Sequence, residues 1–269
     1  MCGWNFYGLI SNCHTNGTVT GEYSLGGLCG LNSSYISESH AEGSVSGNDA
    51  QGGLCGYNSY GEISNCFATA SVFGDEYVGG LCGLSSKGSI SNCYAKGSVN
   101  GNDYIGGLCG HNLSEINHCY STGLVTGDNY VGGLCGGNSG DGSINACYFL
   151  NTAGPNNGIG SPLTDSAMKQ QIRFLGWDFM GEISNGINDN WRMCIDGVNY
   201  PKLRWEFTTG DLACPDGVNL EDVTVLAANW LESDCISNPA DCAYADLDES
   251  GTVDPADLGI MAEHWLAGI

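Results

Sequence analysis

Apolar and polar positions alternate through the first half of the chain with a period of two, and the alternation itself recurs. From Cys66, the residues Cys66, Ala68, Ala70 and Val72 share one face of an extended segment. One repeat later Cys93, Ala95, Gly97 and Val99 do the same, while Phe67 and Tyr94 fall on the opposite face. The pentapeptide Gly-Gly-Leu-Cys-Gly places cysteines at Cys29, Cys55, Cys82, Cys109 and Cys135, in steps of 26, 27, 27 and 26 residues. A second block runs Ile10-Ser-Asn-Cys13, Ile36-Ser-Glu-Ser39, Ile63-Ser-Asn-Cys66, Ile90-Ser-Asn-Cys93, Ile116-Asn-His-Cys119 and Ile144-Asn-Ala-Cys147. A third block holds Val19, Val45, Val72, Val99 and Val125 at its centre. Such blocks are too short and too rich in glycine for helices. A face of small residues needs neighbouring backbones to approach closely, and identical blocks stacked one strand spacing apart supply that. The pattern predicts a mainly β chain: a parallel β-solenoid over residues 1–150, one coil of 26–28 residues per repeat. Five or six coils at about 4.8 Å each make a rod about 25–30 Å long.

These blocks, from Gly8 to Phe149, resemble the GLUG motif, a short repeat of bacterial surface proteins and some secreted peptidases. The resemblance implies a surface or adhesion protein. The peptidase association does not carry over, because no His-Glu-x-x-His occurs in the chain.

Eleven of the fifteen cysteines, Cys2 to Cys147, lie in or beside the repeats, and none has the Cys/His spacing typical of zinc. Stacked coils would set equivalent cysteines in rows. The bland reading makes them small hydrophobes filling a tight interior. The alternative is disulfides between coils, since the coil spacing falls within the Cα range of a disulfide. A row of five is odd, and Ser39 interrupts the other row, which argues against required pairing.

Between 151 and 207 the repeat stops. Thr164-Asp165-Ser166 followed by Ala-Met-Lys-Gln-Gln-Ile-Arg-Phe-Leu predicts a capped short helix. Trp177, Trp191, Tyr200 and Trp205 suit an aromatic C-terminal cap over the last coil; the alternative is a sugar-stacking platform.

Charge changes the picture at the C-terminus. The chain has 30 acidic against 7 basic residues; no Lys or Arg follows Arg204, and Asp211 to Glu263 holds thirteen carboxylates. That field repels phosphate backbones and anionic lipid, which excludes nucleic acid as a partner. It calls for a hard cation with oxygen ligands. The segment Asp246–Asp257 has the twelve-residue order of an EF-hand loop. Asp246, Asp248, Ser250, Asp254 and Asp257 stand at the first, third, fifth, ninth and twelfth places, Gly251 stands at the sixth, and Thr252 offers its carbonyl at the seventh. The pattern recurs 35 residues earlier, weaker, with Asp211, Asp216, Asn219 and Asp222; Ala213 and Pro215 carry no side-chain oxygen at the third and fifth places. Helices are predicted after each loop, over Val223–Leu231 and Leu258–Leu266. Cys214, Cys235 and Cys242 sit in loops near the acidic module and are candidate disulfide partners in an exported protein.

Two calcium loops, each followed by one helix and with no incoming helix, resemble a type I dockerin module over residues 208–269. The resemblance implies Ca2+ as cofactor and a cohesin-like or other surface protein as partner. Its tenth and eleventh places, Leu220-Glu221 and Pro255-Ala256, are then the partner-binding positions, although they are not the small hydroxyl residues frequent in that family.

No run of eighteen apolar residues spans a membrane. The start, MCGWNFYGLISNC, reads like the middle of a repeat, not a signal peptide, as expected of a fragment of a longer exported protein. No nucleophile elbow or phosphate loop appears, and the five histidines are scattered. The expectation is a non-catalytic extracellular or cell-surface binding protein, with carbohydrate as a further candidate ligand. The alternatives are a structural protein that self-assembles into filaments or a surface layer, and the non-catalytic tail of a larger secreted hydrolase.

Overall fold

The computed structural model describes residues 1–180, 188–214, 217–235, 242 and 244–265. They fall into two compact units, Met1–Met168 and Lys169–Ile269.

The first unit is a parallel β-solenoid. Its strands form three parallel sheets, two of ten strands and one of five. The register follows the repeat: Cys29 pairs with Cys55, Cys55 with Cys82, Ile36 with Ile63, Ile63 with Ile90, and Val45 with Val72. Identical side chains therefore stack in rows. Leu28, Leu54, Leu81, Leu108 and Leu134 join the isoleucines and cysteines in one buried core. Val45, Val72, Val99 and Val125 meet Val78 and Ile105 in a second. The paired glycines before each leucine have no room for a side chain. A Cβ on Gly80 would come within 2.2 Å of the Gly107 carbonyl oxygen, so the narrow coil closes only with glycine there.

The alternation read from Cys66 is realised: Cys66, Ala68, Ala70 and Val72 are wholly buried. Phe67 and Tyr94, on the opposite face, are also largely buried. Their rings stack at 4.9 Å in a ladder that continues from His40 to Phe67 at 4.5 Å and from Tyr94 to Tyr120 at 5.0 Å. A second ladder is made of amides. Asn5 donates to Asn32 at 2.9 Å, Asn32 to Asn58 at 2.9 Å, and Asn112 to Asn138 at 2.8 Å. Ser85 interrupts this row and bonds Ser114 instead, at 2.7 Å.

The cysteine rows differ in one respect from the sequence count. Cys2 pairs in register with Cys29, so the first row has six members, not five. Eleven thiols are free: nine are buried, Cys2 is half-buried, and Cys13, opposite Ser39, is exposed. Buried thiols donate to nearby carbonyls, Cys66 to Ser64 at 3.1 Å and Cys82 to Leu84 at 3.2 Å. Burial pushes the Cys66 and Cys119 thiols up; at Cys82 and Cys93 burial acts the same way but hydrogen bonds from neighbouring row thiols pull them down, so it is closure to solvent that shields the nine buried thiols from reagents. A thiol reagent added to native protein under non-reducing conditions should count about two repeat cysteines, rising to about eleven on denaturation. Denatured protein with almost no free thiol would mean disulfides between coils.

After the last repeat strand, Ser161–Leu163 pairs in parallel with Tyr148–Leu150 and continues the stack. Helix α1 (Asp165–Met168) is shorter than the predicted helix. Gln170 is extended, and the Gln171 amide donates to the Asp196 carboxylate at 2.7 Å instead of to a helical carbonyl. Only a 3-10 turn, Gln171–Arg173, follows.

In the second unit, Trp191–Arg192 pairs antiparallel with Lys202–Leu203. Trp177 packs on Trp191 at 4.3 Å, beside Phe174 and Phe179. Trp177 and Trp191 are 1% and 0% exposed, so their faces are closed to a sugar. Among the described residues no helix is long and apolar enough to cross a membrane.

Candidate metal centre

Each acidic loop ends in a helix whose start is set by the loop itself. Helix α2 spans Leu220–Ala228 and helix α3 spans Pro255–Glu263. Both begin three residues before the position expected from the pattern, and Leu266 lies outside the described residues. The reason is capping. Asn219 accepts from the Glu221 amide at 2.8 Å, and Asp254 accepts from the Ala256 amide at 2.7 Å. Each is an N-cap with a carboxylate three residues on, which completes a capping box. Leu220, Glu221, Pro255 and Ala256 therefore form the exposed first turns of the two helices.

The twelfth loop residues, Asp222 and Asp257, are wholly buried and play one role twice. Asp222 accepts from the amides of Leu212, Ala213 and Asn219, at 2.6, 2.7 and 2.7 Å. Asp257 accepts from Leu247, from Asp248 at 3.1 Å and from Asp254 at 2.7 Å. The donors are the second, third and ninth residues of each loop, so the 35-residue duplication extends to individual hydrogen bonds. Val218 and Val253, the eighth residues, are buried in one small core with Leu226, Met261, Cys235 and Cys242.

In the second loop, carboxylate oxygens of Asp246, Asp248 and Asp257 lie within 4.8 Å of one another. The loop backbone curls around them. The Ser250 amide donates to Asp246 and Asp248, both at 3.0 Å, and the Gly251 amide donates to Asp246 at 2.8 Å. Gly251 has φ +95°, the left-handed turn for which the sixth place requires glycine. The Ser250 hydroxyl donates to the Thr252 carbonyl at 3.2 Å. Asp254 is turned to its cap. Burial, with the Asp257 charge added, raises the pKa of Asp246 above the usual carboxylate range. Crowded carboxylates of this kind fit a hard divalent cation, which would be held by Asp246, Asp248 and Asp257 with the Thr252 carbonyl beside them.

The first loop is built differently around the same Asp222. Asp211 is 4% exposed, and its Oδ1 has no hydrogen-bond partner among the described residues. Its carboxyl pKa is raised, chiefly by burial, with Asp222 adding to the rise and Arg192 opposing it. Ala213 contributes no oxygen, and Asp216 and Pro215 lie outside the described residues. Arg192 enters instead. Its guanidinium donates to the carbonyls of Asp211 and Leu212, at 2.6 and 3.3 Å, and stacks on Phe207 at 4.4 Å. A buried guanidinium thus sits on the first two residues of this loop, whereas the guanidinium at the second loop, Arg204, makes an exposed pair with Glu249 at 3.6 Å. Sequence reasoning missed Arg192, because it lies 19 residues before Asp211 and belongs to no loop motif.

Two disulfides tie the loops and their connector, one of them through Cys214 inside the first loop. Cys235 joins Cys242 and Cys194 joins Cys214, with Cα separations of 5.6 and 5.8 Å. Cys214 thus pairs outside the trio singled out from the sequence.

No curated protein and no solved structure matches the chain. The family match falls on the solenoid and does not reach the acidic loops: residues 47–72, 74–100 and 101–126 are three consecutive repeats of the GLUG motif.

Proposed function

We propose that the chain is a non-catalytic extracellular binding protein, in which a GLUG-repeat solenoid carries a calcium-dependent, dockerin-like docking module for a cohesin-like or other surface protein. The observation that carries this reading is the convergence of Asp246, Asp248 and Asp257 in a loop of EF-hand order. It is supported by the repetition of the Asp257 hydrogen bonds around Asp222. The exposed helix starts at Leu220-Glu221 and Pro255-Ala256 are the surface that a partner would read once calcium orders the loops. The two disulfides fit an oxidising compartment.

The test is a capture experiment. The immobilised chain is incubated with surface extract of the parent cells in calcium, then eluted with chelator. The reading expects a discrete protein that elutes with chelator and is not retained by Asp246→Ala. Retention that ignores both calcium and the substitution would count against it.

A further inference from the structure

The solenoid carries an aromatic row that its core does not need. Tyr77, Tyr104 and Tyr130 occupy equivalent corners of successive coils, with φ of 54°, 56° and 49°. A left-handed backbone is costly for a bulky side chain, and Ala50 fills the same corner one coil earlier at φ 60°. The tyrosines stack outside the core, Tyr77 on Tyr104 at 5.2 Å and Tyr104 on Tyr130 at 4.5 Å, the latter pair within 7° of parallel. Tyr130, at the end of the row, is 62% exposed.

A second outward row runs beside it. Its members in register are Leu31, Tyr57, Leu84, His111 and Gly137. The His111 ring lies nearly parallel to Tyr77 and Tyr104, 5.6 and 4.7 Å away and within 16° of each. The same place in the next coil, beside Tyr104 and Tyr130, belongs to residue 137, which is glycine. A Cβ there would already meet Tyr104 Cδ1 at 2.8 Å. Tyr104 packs directly on the Gly137 backbone, and beside it lies a cleft of about 380 Å³ lined by Tyr104, Tyr130, His111, Ser139 and Asn157.

We infer that this cleft is a binding site for one pyranose ring of a neutral carbohydrate. The cleft offers a flat ring the exposed face of Tyr130, the last of the stacked tyrosines. A sugar presents C–H groups to such faces and hydroxyls at its edge. The edge of the slot is polar: His111 Nε2 and Ser139 Oγ lie 2.8 Å apart and can share their hydrogen bonds with a hydroxyl. Neutrality follows from the charges. No Lys or Arg lines the cleft. Burial lowers the His111 pKa, against an opposing pull from Glu76, which favours the uncharged imidazole. The chain's net charge of −23 repels anions. The site belongs to the solenoid alone and is independent of calcium, so its failure and that of the docking reading are separable.

The test uses the full chain in chelator. Soluble β-glucan, xylan and chitin oligosaccharides are titrated by saturation-transfer NMR and calorimetry. A proline- and tyrosine-rich peptide is titrated alongside as the competing class. Two variants probe the cleft. Tyr130→Ala puts the residue native at Ala50 into the same corner, and His111→Leu puts the residue native at Leu84 into the same row, so both keep the fold. At least one oligosaccharide should bind saturably, and each variant should weaken it about tenfold or more with an unchanged melting temperature. Tyr23→Ala, an exposed tyrosine outside the cleft, should leave binding intact. The inference is overturned if no sugar binds saturably at about 10 mM, if Tyr130→Ala binds as the parent does, or if the peptide alone binds.

Discussion

Removing residues Gly79–Ile105 leaves a folded rod one coil shorter, and removing only Gly79–Ser91 leaves a chain that aggregates or loses its cooperative melt. The first deletion joins Val78 to Gly106, and Val78 is the register partner of Ile105, the residue that precedes Gly106 in the parent chain. Every row then closes over the gap. Cys55 meets Cys109, Ile63 meets Ile116, and Val72 meets Val125. Even the amide ladder improves, because Ser85, which breaks it, leaves with the coil and Asn58 faces Asn112. Each coil contacts mainly its neighbours, so the variant loses one nearest-neighbour interface and little else. The half-coil deletion moves every later strand onto a different sheet. Glycines whose missing side chains let the coils close, such as Gly107 under Gly80, would face valines and isoleucines, at about 1–3 kcal/mol for each overpacked position. Circular dichroism and size-exclusion chromatography of the two variants decide the matter. Equal tolerance of both deletions would count against one interchangeable coil per repeat.

Asp246→Ala should weaken calcium binding at least about tenfold, and Asp257→Ala should do the same, whereas Asp211→Ala should change it less than about threefold. Asp246 belongs to a cluster of three converging carboxylates. Asp257 belongs to the same cluster and also accepts three backbone amides, so its loss unties the loop from helix α3. At the ligand places of the first loop only Asp211 and Asp222 bring described carboxylates, Glu221 being exposed on the first turn of helix α2, and the guanidinium of Arg192 bonds the backbone at Asp211 and Leu212. A cation would meet that positive charge with fewer oxygens to offset it. Calorimetry on the three variants gives the comparison. An Asp211→Ala loss as large as that of Asp246→Ala would place the stronger site in the first loop.

The solenoid was legible because its signal is redundant. A period of two within each strand and 26 to 28 between strands is written again in the cysteine, isoleucine and valine rows. One corner was not legible: Tyr77, Tyr104 and Tyr130 adopt left-handed φ between 49° and 56°, where glycine or asparagine would have announced a turn; the other corner does carry Asn12, Asn65 and Asn92, with Glu38 and Ala146 among its exceptions. The burial of Phe67 and Tyr94 also escaped the alternation rule. That rule assigns faces, while their burial comes with ring stacking between coils, which only the register reveals. In the acidic module, spacing located the loops. It misplaced the helix starts by one turn, because the ninth residue serves as N-cap and the pattern of ligands had been read without that role. The Cys194–Cys214 bridge and the Arg192 contact join residues 19 or 20 apart through a turn that carries no motif.

Calcium titration of the full chain is the most direct test of a calcium-ordered docking module. Calorimetry should show saturable uptake at one strong site, with magnesium a poor substitute, because a loop with many oxygen ligands suits the larger ion. Melting should show two transitions, one for the solenoid that ignores calcium and one for the acidic unit that shifts upward. At a free calcium concentration about a hundredfold above Kd, the gain is about 2.7 kcal/mol, and chelator should abolish it. No heat of calcium binding at millimolar concentration, or an acidic unit whose melting is the same in calcium and in chelator, would contradict the docking reading and leave only the solenoid.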